Sequence, residues 1–207
     1  IDVIGGVNPA GEYEFGSSWD MGSVFDVNIR RRFVARPILP GQLFDDNTLL
    51  IDEWPQIDED NLDRVNAEMY VRTTNDDPAG TPVYGDWNQF ANAIVRGRGF
   101  QFKTIATSSD PSINILIDEL GVEMELQLYT EQSAVLTSGA STYAATFPYS
   151  FYQPPNIGIT ASNMATGDFF LITAVTRLGF TVEFKNSAGT SVSRQFSYTA
   201  VGYGKEI

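Results

Sequence analysis

Gly179-Phe180-Thr181-Val182-Glu183-Phe184-Lys185-Asn186-Ser187-Ala188-Gly189-Thr190-Ser191-Val192-Ser193-Arg194-Gln195-Phe196-Ser197-Tyr198-Thr199-Ala200 decides the fold. Phe180, Val182 and Phe184 alternate with Thr181, Glu183 and Lys185, the period of a half-buried strand. Asn186-Ser187-Ala188-Gly189 carries turn chemistry. Beyond it Val192, Phe196, Tyr198 and Ala200 share one parity against Ser191, Ser193, Gln195, Ser197 and Thr199. The pattern predicts a hairpin. Upstream, Thr176-Arg177-Leu178-Gly179 links this hairpin to a strand over Phe169–Val175, and Ile157, Ile159 and Ala161 alternate after Pro154-Pro155. At least five strands are expected in this region.

Toward the N-terminus, Tyr13–Phe15, Val24–Phe33, Ala67–Thr73, Ala93–Thr107 and Ile113–Leu128 are rich in the β-branched and aromatic residues that favour strands. Asn75-Asp76-Asp77-Pro78-Ala79-Gly80 and Ser108-Ser109-Asp110-Pro111 are turn signals between them. Asp86–Ala93, around Trp87, reads either as one turn of helix or as a loop. The fold class that follows is all-β, two antiparallel β-sandwich domains of jelly-roll-like form. A length of 207 residues accommodates both.

The boundary is expected near residue 129, where the polar stretch Tyr129-Thr130-Glu131-Gln132-Ser133 and then Thr137-Ser138-Gly139-Ala140-Ser141-Thr142 separate the strand-rich regions. Charge changes there as well. Residues 1–128 hold 22 acidic and 9 basic side chains, 22 − 9 = 13 negative charges, and residues 129–207 hold 4 of each. The expected domains are an acidic jelly-roll-like sandwich over 1–128 and a smaller sandwich over 129–207.

Composition removes several function classes. With no Cys and no His, disulfide frameworks, thiol nucleophiles, Ser-His and Cys-His dyads and nearly all zinc sites are excluded. A net charge of −13 opposes binding to a phosphate backbone, so nucleic acid is not an expected partner. No apolar run approaches the ~20 residues that span a bilayer, so no membrane insertion is expected. The opening Ile1-Asp2-Val3-Ile4 lacks Met, which suggests a piece of a longer polypeptide.

Phe44–Asp63 holds Asp45, Asp46, Asp52, Glu53, Asp58, Glu59, Asp60 and Asp63 with no basic residue. It reads as a solvated acidic loop, or as a calcium site through Asp58, Asp60 and Asp63, although the Gly and terminal Glu of a calcium loop are missing. No cofactor is expected. Asp118 and Glu119 are adjacent, so in a strand they face opposite ways, unlike a catalytic carboxylate pair. Arg96-Gly97-Arg98-Gly99-Phe100 lacks the context of a phosphate loop and reads as a strand whose arginines neutralise carboxylates. In Phe147-Pro148-Tyr149-Ser150-Phe151-Tyr152, parity places Phe147, Tyr149 and Phe151 in the core and leaves Tyr152 exposed. Tyr152 and the loop residues Asn163 and Asp168 are the candidate binding residues, the alternative being ordinary turn residues that close hairpins.

Several phrases resemble the host-specificity (tail-tip attachment) protein J family of long-tailed bacteriophages. They are Gly11-Glu12-Tyr13-Glu14-Phe15, Trp19-Asp20-Met21-Gly22-Ser23-Val24, Ala67-Glu68-Met69-Tyr70-Val71-Arg72-Thr73-Thr74-Asn75-Asp76-Asp77-Pro78, Trp87, Arg98-Gly99-Phe100-Gln101-Phe102 and Ile117-Asp118-Glu119-Leu120-Gly121-Val122. Asn163-Met164-Ala165-Thr166-Gly167-Asp168, Gly179-Phe180-Thr181-Val182 and Asn186-Ser187-Ala188-Gly189 are similar to the small sandwich that ends many phage tail proteins, and to H-type lectins. The resemblance implies the distal part of a tail-tip protein in the virion, without its N-terminal hub. It implies attachment to a host cell-surface glycan or protein, contact with other tail proteins, a homotrimer, and no enzymatic activity. The rival expectations are a purely structural tail-tip cap or trimerisation module and, more remotely, a polysaccharide-degrading enzyme.

Overall fold

A computed structural model describes residues 8–38, 64–111 and 113–207. The acidic stretch 44–63, and with it the calcium reading, lies outside the described residues. The protein is an all-β antiparallel sandwich protein. It forms two compact units, one of residues 1–20, 29–93 and 99–124, the other of residues 21–28, 94–98 and 125–207. The linear reading, with its cut near residue 129, groups 21–28 and 94–98 with the first region; in the fold they belong to the second unit.

Six strands form one sheet: β1 (Ala10–Glu14), β2 (Trp19–Ile38), β3 (Val65–Thr74), β4 (Asn88–Gln89), β5 (Asn92–Ser108) and β6 (Asn114–Leu126). Their order is β4-β3-β5-β2-β6, with β1 beside β5. Alternation along β3 and β5 sends Met69, Val71, Phe100 and Phe102 inward. The opposite face carries Tyr70, Arg72, Gln101 and Lys103. Around Trp87 there is no helix; Asn88–Gln89 pairs with Tyr70–Val71. Trp87 lies over two cations, the Arg72 guanidinium at 4.4 Å and the Lys103 ammonium at 4.8 Å from its ring centre. Arg96 does neutralise a carboxylate, donating to both oxygens of Asp26 at 2.9 and 3.1 Å.

The second unit holds β7 (Leu128–Gln132), β8 (Leu136–Thr137), β9 (Tyr143–Thr146), β10 (Asn156–Ser162), β11 (Phe169–Val175), β12 (Gly179–Lys185) and β13 (Gln195–Tyr203). They make two sheets, β10-β13-β7 with β8 also on β13, and β11-β12-β9. Phe180, Val182 and Phe184 of one sheet and Phe196, Tyr198 and Ala200 of the other are buried in one core with Phe147 and Phe151. The facing predicted by alternation is observed. The hairpin is not: β12 and β13 lie in different sheets. After the Asn186–Gly189 turn the chain makes one bridge, Lys185 with Ser191, and Val192 donates to the Phe184 carbonyl, before it crosses to the other sheet. Period-two alternation states which face is buried, not which strand is the neighbour.

Candidate functional site

The aromatic run Phe147–Tyr152 is the part of the second unit where side-chain placement departs from strand logic. Pro148 and Pro154-Pro155 remove backbone donors, and the segment after Thr146 is irregular up to β10. It is tied down at intervals: Phe147 and Phe151 donate to the Leu178 and Arg177 carbonyls at 2.8 and 3.0 Å, and Tyr152 to that of Tyr203 at 2.9 Å. Arg177 Nε returns a hydrogen bond to the Phe151 carbonyl at 2.9 Å. Phe147 and Phe151 are therefore buried as expected. Tyr149 is not; it is 45% exposed. Tyr152 is half-buried, its ring edge-on to Phe25 at 5.7 Å.

Tyr149 lies beneath an ammonium group. Lys205 Nζ sits 3.9 Å from the centre of its ring and 5.7 Å from that of Tyr129. The Tyr129 hydroxyl donates to Glu131 Oε2 at 2.5 Å, and its ring packs on Phe151 at 5.0 Å. Burial, and then the Glu131 carboxylate, push the Tyr129 phenol well above its ordinary value. The chain end holds Lys205 in place. Gly204, at φ +73°, donates to the Gln127 carbonyl, and Glu206 to that of Ser150. A Cβ on Gly204 would come within 3.1 Å of Phe25 and Tyr152, so glycine alone combines this φ with this approach. The cluster presents an exposed aromatic ring under an ammonium that also lies over a second phenol, itself bonded to a carboxylate. Such a set suits a ligand with apolar faces and hydroxyl edges, or a protein surface, and holds no nucleophile–base pair.

No protein-family model, curated protein or solved structure matches the chain. Its functional reading therefore rests on its own residues.

Asn163 and Asp168 are brought together, apart from the Tyr149 cluster. Both grip the start of β13 from the β10–β11 connection. Asn163, in the left-handed region at φ 53°, accepts at Oδ1 from the Gln195 backbone at 3.0 Å. Asp168 Oδ2 accepts from the Ala165 N–H at 2.7 Å and from Arg194 Nε and Nη2 at 2.6 and 2.5 Å. Its side chain is only 2% exposed. These contacts close the connection onto the sheet, as turn residues do.

The Ala165 N–H first, and the Arg194 guanidinium after it, hold the Asp168 carboxyl below the usual carboxylate range against the opposing effect of burial. The folded pKa lies below the unfolded value of about 3.9. Its stabilising contribution is thus complete above about pH 4 and is lost as pH falls through the folded value. Asp168→Asn keeps an acceptor for the Ala165 N–H but removes the charge. The variant is expected to melt lower than the wild type at neutral pH, with the gap closing as pH falls below about 4. Melting temperature against pH for both proteins checks this; a gap that is constant with pH would count against it.

Sequence reading missed Tyr149, Tyr129, Glu131 and Lys205 as a group. The prolines at 148, 154 and 155 were the available signal that strand parity does not govern this run. Among the described residues, no group of three or more acidic side chains is placed to hold a metal ion.

Proposed function

We propose that this chain is the distal, non-catalytic part of a phage tail-tip protein, located at the tail tip of the virion, and that it attaches to a glycan or protein on the host cell surface. The observation that carries the reading is the Tyr149 cluster, an exposed ring under the Lys205 ammonium, which also lies over Tyr129, itself bonded to Glu131 and packed on Phe151. The resemblance of its sequence phrases to the protein J family supplies the virion context. An aromatic platform contributes stacking area at low entropic cost, and its charged neighbours orient polar groups of the ligand. No step of bond-making is assigned to these residues.

The reading is tested by the binding of the labelled chain to intact host cells, with Tyr149→Ala as the variant. Because Tyr149 is half exposed, its removal leaves the core in place. Loss of a central aromatic contact is expected to weaken cell binding by about tenfold or more, the effect of roughly 1.4 kcal/mol. Tyr13, 56% exposed on the first unit, serves as control, and Tyr13→Ala is expected to bind as the wild type does. Equal binding by the wild type and Tyr149→Ala would move the contact surface elsewhere; no binding by either would favour a structural cap.

A further inference from the structure

β11 is an edge strand. Among the described residues it pairs with β12 on one side and with nothing on the other. Phe169-Phe170-Leu171-Ile172-Thr173-Ala174-Val175 contains no charge and no proline. Natural sheets protect such edges with lysines, prolines, bulges or very short strands, because a free row of N–H and C=O groups templates another strand. The one device present is the irregularity between Ile172 and Ala174, which leaves Phe169–Ile172 in regular register with β12.

The side chains agree with the backbone. Phe169 and Leu171, opposite Lys185 and Glu183 of β12, lie on the outward face at 42% and 44% exposed; Phe170 and Val175 are 38% and 37% exposed. Lys185 and Glu183 pair with each other at 3.3 Å, so that face offers no unbalanced charge. Residues 129–207 as a whole carry four acidic and four basic groups, against 22 and 9 in the remainder. A copy-to-copy contact made through the remainder would set its excess of negative charge against itself. At β11 it would not, and a strongly charged partner would find no complement there.

We infer that β11 is a contact strand through which two copies of the chain associate edge to edge. Antiparallel pairing centred on Phe170 sets Phe169 of one copy beside Leu171 of the other on the outward face. A two-fold contact makes this pair twice. The result joins the two three-stranded sheets into one of six strands through Phe169–Leu171 of each copy, the part of β11 in regular register before the irregularity at Ile172/Ala174. This inference is independent of the host-binding proposal and uses different residues. It also differs from the three-fold assembly that the family resemblance implies, since an isologous contact closes at two.

The test is the mass of the chain by light scattering over about 1 to 200 µM, the range in which a micromolar association is read. Leu171→Lys and Phe169→Glu are the variants, each placing a charge opposite an apolar partner, and melting curves confirm that they fold. Val83→Lys, 78% exposed on the first unit, is the control. Wild type and control are expected to approach twice the chain mass, and each β11 variant to weaken the association at least about tenfold. A wild type monomeric throughout, an assembly that closes at three, or one that both folded β11 variants leave intact, overturns the inference.

Discussion

Phe184→Ala is expected to lower the unfolding free energy of the second unit by roughly 3–5 kcal/mol. Phe184 is fully buried. Its ring lies 5.3 Å from that of Phe196 and 5.7 Å from that of Phe170. The first of these contacts joins the two sheets, since Phe184 belongs to β12 and Phe196 to β13. Truncation removes the transfer free energy of the ring and leaves a cavity between sheets whose backbones are fixed by their own ladders. Phe169→Ala, one of the exposed β11 positions, gives the contrast: a change within about 0.5 kcal/mol at concentrations where the chain is monomeric. Denaturant unfolding of the two variants measures both. A Phe184→Ala cost below about 1 kcal/mol would mean that the aromatic core does not bind the sheets together as described.

Gly179→Ala comes next, at about 3 kcal/mol, with a different cause. Gly179 opens β12 and pairs with Thr146 of β9. A Cβ there would stand 2.1 Å from the Ala145 carbonyl oxygen, 3.1 Å from its carbon and 3.2 Å from the Thr146 Cα. All three atoms are backbone, so no rotamer change relieves the overlap. The β9–β12 pairing must separate, and with it the turn closed by the Thr176 N–H on the Gly179 carbonyl at 2.8 Å. Gly16→Ala is the control, because nothing lies within 4 Å of its added Cβ. It should leave the melting temperature nearly unchanged. If Gly179→Ala behaves like Gly16→Ala, the close approach of β9 to β12 is not a feature of the folded chain.

These two positions also show what a linear reading can and cannot reach. Phe180, Val182 and Phe184, and then Phe196, Tyr198 and Ala200, are legible as buried because alternation reports the facing of a strand. Their assignment to opposite sheets is not legible, since a turn such as Asn186–Gly189 fits both a hairpin and a crossover. Gly179 carries no periodic signal at all; its constraint comes from a strand more than thirty residues away. The same holds for Asp168. Its place in a loop follows from Gly167 and the polar run around it, but its partner Arg194 is set by tertiary structure. Residues 24–28 and 94–98 read as parts of long strands of the first region, and nothing in composition marks their membership of the second unit.

At the candidate site the limit is sharper. Parity treats Phe147–Tyr152 as a strand, and it places Phe147 and Phe151 correctly because an irregular path also returns them to the core. It fails for Tyr149, which turns outward to Lys205, and for Tyr152, which turns onto Phe25. Lys205 lies far from Tyr149 and Tyr129 in sequence and meets their rings only through the pairing of β7 with β13 and the docking of the chain end.

The central claim, a host-attachment module at the tail tip, is tested most directly by competition for phage adsorption. On the proposed reading the chain comes from a phage; host cells pre-incubated with the purified chain are exposed to that phage, and the fraction of free phage is counted. The account predicts that the chain lowers adsorption in a dose-dependent way and that Tyr149→Ala, at the same concentration, lowers it less. Adsorption unchanged at saturating concentrations of a folded chain would contradict it.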